Sequence, residues 1–464
     1  MHALVLLAGF LVPCAAISGE ARASAAAANP SPPAHKVRLT EAEIREFMAG
    51  IAPQIERLME RKFKKLPPLV IDDAKATARI LAADMVPLVR RQNPGWPEPR
   101  VARQALATAR RLAPELLGKY GVQAEMLALH PSDLPDTLRQ HRIDPVHAPG
   151  VMKTLVAHEL THALQAQYVD LLALYAKAST DDALAAATAV IEGQAMFIQQ
   201  EVAKALGWSE AESRYAGIFT RQSTDFPDPA HLGALARQQF TYIEGKRFAE
   251  WHYQQGKAAR LWEVLAKPPA TTAMIARPQA YSPVAPPRPD LAPVLDPLAD
   301  IWKHRGWQVT QQDLGEIDLR AAYATADRAT VEAITEPVRA ARQLQVQAPQ
   351  APARFRLTVF ELSDPQAGGR AMALRHQAIL CDVEAYRKGV RLRARRFDRR
   401  PFRARSQTAM RYWLVMEDEN GQPGVDRTIV LALRGTRLAE LVIDDYAMPL
   451  SEMRRLVEDA LVHR

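Results

Sequence analysis

The chain has 464 residues, 48% of them hydrophobic and 24% charged, proportions of an ordinary globular protein rather than a disordered or fibrous one. The formal net charge of +8, from 60 basic against 52 acidic residues, gathers in one Arg-rich stretch near the C-terminus, which describes a patch and not a wholly basic protein. Its two cysteines, Cys14 and Cys381, exclude a disulfide framework.

The N-terminus reads as an export signal. Ala3 to Val12 is an unbroken apolar run, and Ala21-Arg22-Ala23 fits an A-x-A cleavage site. The run is too short for a spanning helix, and no other stretch approaches about 18 apolar residues, so an exported, soluble mature chain is expected, periplasmic or secreted. Residues 1–23 are assigned to the signal peptide and 24–36, rich in Ala, Ser and Pro, to a flexible leader.

Beyond the leader, Thr40-Glu41-Ala42-Glu43 is a capping box that starts a helix through about Lys64. Leu69 to Ile71 is a short strand candidate. Helical stretches follow near 74–91 and 100–119, and Val122 to Leu129 reads as an edge strand. Helices are expected over 151–175, 181–206 and 240–255, completing a mainly α domain with a small edge sheet over 37–266. A Pro-rich connector occupies 267–297 and a helical extension 298–350, with its helix near 313–345. Alternating patterns at 354–362, 411–417, 427–434 and 437–443, with helices at 365–388 and from Ser451, predict a small α+β domain over 351–464.

The stretch that carries chemistry is His158-Glu159-Leu160-Thr161-His162. On a helix, residues four apart lie one turn apart on one face, so both imidazoles can bind one metal ion, and Glu159 can reach a water beside it without filling the coordination sphere. The pattern arises by chance in about two chains per hundred of this size and composition. Its surroundings therefore matter: from Leu155 to Leu164 the other residues are uncharged, with no Pro or Gly. The bland alternative, two packed histidines on a buried helix, leaves Glu159 buried without a purpose.

A catalytic zinc site takes three protein ligands. Glu192, 30 positions after His162 and inside the next apolar helix, is the candidate third, ahead of Asp170 and Glu201. His158 through Gln165, followed by Glu192-Gly193-Gln194-Ala195, resembles the gluzincin metallopeptidases, and most closely a group of uncharacterised exported bacterial proteins with that pairing. Weaker matches are Tyr242 to Phe248, Pro268 to Tyr281 and Gly315 to Leu319; the group's usual His before the Pro of the Pro-x-x-Tyr element is Arg277 here.

The resemblance implies a zincin-like metallopeptidase fold for residues 37–266 and one zinc ion held by His158, His162 and Glu192, with Glu159 as catalytic base activating a zinc-bound water to hydrolyse peptide bonds. The expected partner is a peptide or protein substrate. Tyr242, Arg247 and His252 are the possible oxyanion donors. The run from Arg387 to Arg405, with alternating Arg391, Arg393 and Arg395, suggests a basic strand able to meet an anionic surface, nucleic acid not being expected. Cys381 reads as a small buried hydrophobe. The competing reading is a non-catalytic, zinc-stabilised binding protein that recognises a partner through its C-terminal domain.

Overall fold

A computed structural model describes residues 39–220, 229–350, 352–388, 392–404, 408–418 and 420–462. The signal-peptide and leader assignments, and residues 389–391 and 405 of the basic run, lie outside the described residues. The chain is mainly helical with a small sheet, followed by an α+β part, and it divides into two compact units, Met1–Arg221 with Gln238–Val284, and Gln222–Arg237 with Ala285–Arg464.

The first unit opens with α1 (Glu41–Met59), whose capping box forms: Glu43 N–H donates to Thr40 Oγ1 at 3.3 Å and Thr40 N–H to the Glu43 carboxylate at 2.7 Å. Strand β1 (Leu69–Ile71) is followed by α2 (Ala74–Gln92) and α3 (Glu98–Leu112), then β2 (Gly118–Gly121) and β3 (Met126–Leu129). The sheet order is β1-β3-β2. The predicted edge strand is thus the central one, and one of the two edges is Gly-Lys-Tyr-Gly, whose flanking glycines hide any strand pattern.

Two long helices form the unit's centre, α4 (Ala148–Tyr168) and α5 (Asp181–Leu206). Both are apolar nearly all round, which places them inside the core rather than on it. Thr180 caps the start of α5, and Gly207, at φ 83°, ends it in the left-handed conformation that glycine adopts without strain. The helix expected over 151–175 breaks at Asp170, whose carboxylate accepts from Ala173 N–H at 2.9 Å to start a short helix over Leu171–Lys177. A π-helical turn, Phe240–Glu244, leads into α6 (Gly245–Ala266), which kinks at Gly256 and Lys257. Helices α5 and α6 touch backbone to backbone where Gly193 meets Gly245: a Cβ on Gly193 would lie 2.1 Å from the Gly245 carbonyl carbon.

The second unit is a seven-stranded antiparallel sheet. Its elements are α7 (Ala292–His304), β4 (Gln308–Asp313), β5 (Val338–Gln347), β6 (Arg354–Leu362), α8 (Pro365–Arg387), β7 (Leu392–Pro401), β8 (Thr408–Asp418), β9 (Pro423–Arg434), β10 (Arg437–Asp444) and α9 (Leu450–Ala460), with strand order β4-β5-β6-β10-β9-β8-β7. Alternation sorts the faces. Phe355, Leu357 and Leu441 pack against Trp302 of α7 and Leu456 of α9, while Phe360, Leu431 and Leu438 pack against Ala371 and Ile379 of α8.

Residues 313–345, read as helical, hold two short helices, Glu316–Ala322 and Arg328–Thr335, and run into β5. The β5 sequence is rich in Arg, Gln and Ala, and pairing with β4 and β6 overrides that helical preference. The Arg-rich strand exists as β7 at a sheet edge, but a bulge between Ala394 and Arg396 interrupts the expected alternation. Cys381 is half-buried on α8 rather than enclosed, and its thiol is pushed up by partial burial and by the nearby Asp382. Among the described residues, no helix is long and apolar enough to cross a membrane.

Candidate metal centre

Helix α4 carries His158, Glu159 and His162, and α5 carries Glu192; all four are buried. The helical spacing of the histidines aligns their rings, whose centroids lie 4.7 Å apart. Their Nε2 atoms are 3.1 Å from each other and 3.1 Å and 3.5 Å from Glu192 Oε2, for His158 and His162 respectively. The three groups form a cluster that could hold a metal ion.

Donor accounting tests whether a cation fits. His158 Nδ1 lies 2.9 Å from Gln199 Oε1, and His162 Nδ1 lies 2.9 Å from Gln165 Oε1. An amide oxygen only accepts, so each Nδ1 carries the proton and each neutral ring turns a bare Nε2 lone pair inward. With both rings neutral, two lone pairs and a carboxylate face one point at hydrogen-bond distances, and Glu192 Oε1 is buried without a hydrogen-bond partner. Such a set repels itself unless a cation lies between its members. The ligand chemistry, two imidazoles and a carboxylate, suits zinc, and also ferrous iron.

Without a metal, a proton takes that part. Burial alone would raise the Glu192 carboxyl, but the two imidazoles outweigh it and hold it down at about 2. For His158 burial pushes downward, yet the Glu192 carboxylate wins and the ring titrates above its ordinary range. Proton and metal thus compete for the same lone pairs.

Glu159 points to the small sheet. Its Oε2 accepts from Tyr120 N–H on edge strand β2 at 2.6 Å, a backbone contact that fixes the carboxylate's direction. The rivals for third ligand are occupied elsewhere: Asp170 caps its helix, and Glu201 meets Lys204 at 2.6 Å in an exposed pair. Of the three possible oxyanion donors, Tyr242 lies beside the cluster, its ring 6.3 Å from that of His158, and burial holds its hydroxyl protonated well above the usual range. Arg247 pairs with Glu244 on the surface, and His252 sits among Phe248, Trp251 and Tyr281 with Arg260 donating to its Nδ1 at 3.2 Å.

Sequence reasoning did not find Tyr120, whose contribution is a backbone amide with no side-chain signature, nor Gln199, and it named Gln165 only within the motif and without a role. Gln165 stands three positions after His162, and a polar residue inside an apolar helix beside a metal motif was the available signal. The weaker motifs have architectural uses. Gly193 and Gly245 make the helix contact; Asp182 accepts from Thr272 N–H at 3.0 Å and from its hydroxyl; Asp318 caps its own helix by accepting from Gly315 N–H at 2.8 Å.

No protein-family model matches the chain, and no curated protein matches it. A solved structure from Chloroflexus aurantiacus, described as "a putative hydrolase with a novel fold", is similar over 53% of this chain and 90% of that one, at 15% identity and a TM-score of 0.36. A likeness that shallow carries no argument about fold or function.

Proposed function

We propose that the protein is a zinc-dependent metallopeptidase of the gluzincin kind. The observation that carries the reading is the convergence of His158 Nε2, His162 Nε2 and Glu192 Oε2 inside the core, with both Nδ1 atoms already committed to glutamine oxygens. Those three residues would hold the zinc ion. When bound, zinc supplies Lewis acidity, polarising a scissile carbonyl and acidifying water.

The remaining chemistry falls to the chain's own side chains. Glu159 takes a proton from the attacking water and passes it to the leaving amine. The Tyr120 amide keeps one of its oxygens fixed, which leaves the other for proton transfer. Tyr242, whose ring lies 6.3 Å from that of His158, would stabilise the oxyanion that develops on the substrate. Glu159 also favours zinc catalysis over a structural zinc or iron site, since neither of those needs a buried carboxylate next to the first ligand. The apolar run at residues 3–12 and the A-x-A site favour a working place outside the cytoplasm.

Metal analysis of the purified protein, followed by peptide-library cleavage with wild type and Glu159→Gln, tests the proposal. The expected result is one zinc per chain in both and cleavage by wild type alone. Equal cleavage by both proteins removes Glu159 from the mechanism; zinc without cleavage by either leaves a zinc-stabilised binding protein.

A further inference from the structure

Two hydrogen-bond chains lead away from the histidines: one ends on the Leu261 carbonyl, which can only accept, and the other on Glu212, which accepts when ionised. From His162 the chain runs through Gln165 to Gln194 and on to the Leu261 carbonyl: Gln194 Nε2 donates to Leu261 O at 2.8 Å, and Gln165 Nε2 donates to Gln194 Oε1 at 3.1 Å and to Ile191 O at 3.3 Å. A carbonyl cannot donate, so the direction of every link is fixed from that end. Gln165 therefore presents its oxygen, and not its NH2, to His162. From His158 the chain runs through Gln199, whose Nε2 donates to Glu212 Oε1 at 3.4 Å, and again the amide oxygen is left for the ring.

We infer that Gln165 and Gln199 are positioning residues of the metal centre, which lock His158 and His162 as Nδ1–H tautomers and hold Nε2 towards the ion. The inference rests on the proposal that the triad holds a metal. Partners behind metal-bound histidines are commonly carboxylates or carbonyls. Here the choice of amides follows from the surroundings. Glu159 and Glu192 are already buried beside the rings, and a neutral amide adds no net negative charge to that buried cluster. An amide supplies the acceptor without the charge. It also offers a donor on its far side, which Gln194 Oε1 and the Ile191 carbonyl use at Gln165, and Glu212 uses at Gln199. Through Gln194 the kinked end of α6 is tied to the ligand geometry, because Leu261 follows the break at Lys257.

The test measures zinc affinity of the full chain by competition with a chromophoric chelator, together with the visible spectrum of the cobalt-substituted protein. Gln165→Leu and Gln199→Leu keep the volume and remove the acceptor; each is expected to weaken zinc binding by about 10–100-fold and to alter the cobalt spectrum. The double variant Gln199→Glu/Glu212→Gln reverses donor and acceptor roles while keeping each pairing, and it is expected to restore binding to within a few-fold of wild type. If the leucine variants do not fold, the tautomers are read in zinc-loaded wild type by NMR of 15N-labelled histidine. Nδ1–H on both rings supports the inference, and Nε2–H on either overturns it. Leucine variants that bind zinc as tightly as wild type, or a double variant as weak as Gln199→Leu, also overturn it. Wild type that binds no zinc instead brings down the metal reading itself, and the inference with it.

Discussion

Replacing Gly193 by alanine adds a single methyl group next to a proposed ligand, and its consequences can be worked from the helix contact. The new Cβ would stand 2.1 Å from the Gly245 carbonyl carbon, 2.2 Å from its oxygen and 2.6 Å from its Cα, where ordinary contact begins near 3.4 Å. All three are backbone atoms, so no side-chain rotation relieves the clash, and α5 and α6 must part by more than about 1 Å at that point. Overpacking costs typically 1–3 kcal/mol, and a contact closed by backbone on both sides belongs at or above the upper end, about 3 kcal/mol. Against a domain stability of about 5–15 kcal/mol, the variant should fold but with a clearly lower urea midpoint. Glu192 precedes the substituted position, and metal sites tolerate ligand displacements of only about 0.2 Å. Zinc affinity should therefore fall at least about tenfold. Urea unfolding in chelator and zinc competition at neutral pH read the two effects separately. Gly50→Ala is the control: nothing lies within 4 Å of its Cβ position, and a helix-interior alanine should gain roughly 0.5–1 kcal/mol. A Gly193→Ala protein with the urea midpoint and zinc affinity of wild type would refute the packing argument.

Three further outcomes are expected. Glu159→Gln should lower the peptide-cleavage rate by about 10²–10⁴-fold while leaving zinc stoichiometry at one, which isolates loss of a base from loss of the site. His252, fully buried, is held down at about 4 from an ordinary value of 6.5, by burial first and by Arg260 second. Its folded-state pKa is the lower one, so the stability tied to it is complete above about 6.5 and is lost as pH falls towards about 4; His252→Phe should flatten that part of the stability–pH curve, and an unchanged slope would show that His252 does not set it. In the α+β unit, the buried Arg375 donates to Glu440 and lies 3.7 Å from the centre of the Tyr323 ring. Arg375→Met should cost about 3–5 kcal/mol in chemical denaturation by stranding Glu440, and Arg375→Met/Glu440→Leu should recover most of it.

How far the sequence discloses this protein depends on whether the determining interactions are local. The HExxH spacing and the Thr40 capping box are written within one or two helical turns, and both were legible. The pairing of Glu192 with the histidines was legible as well, because a lone carboxylate in an apolar helix needs a partner. Strand β2 was not: Gly118 to Gly121 carries no alternation, and it becomes a strand by pairing with β3. The residues of β5 favour a helix on their own, and long-range pairing decides against it. The hydrogen bond from Tyr120 to Glu159 and the glutamine chains behind the histidines depend on backbone atoms and amide directions, which exist only after the helices have packed.

Diffraction at the zinc absorption edge, from crystals grown with zinc, addresses the central claim most directly. The account predicts one strong anomalous peak at about 2.0–2.2 Å from His158 Nε2, His162 Nε2 and a Glu192 carboxylate oxygen. A peak elsewhere, or none among these three side chains at full zinc loading, would contradict it.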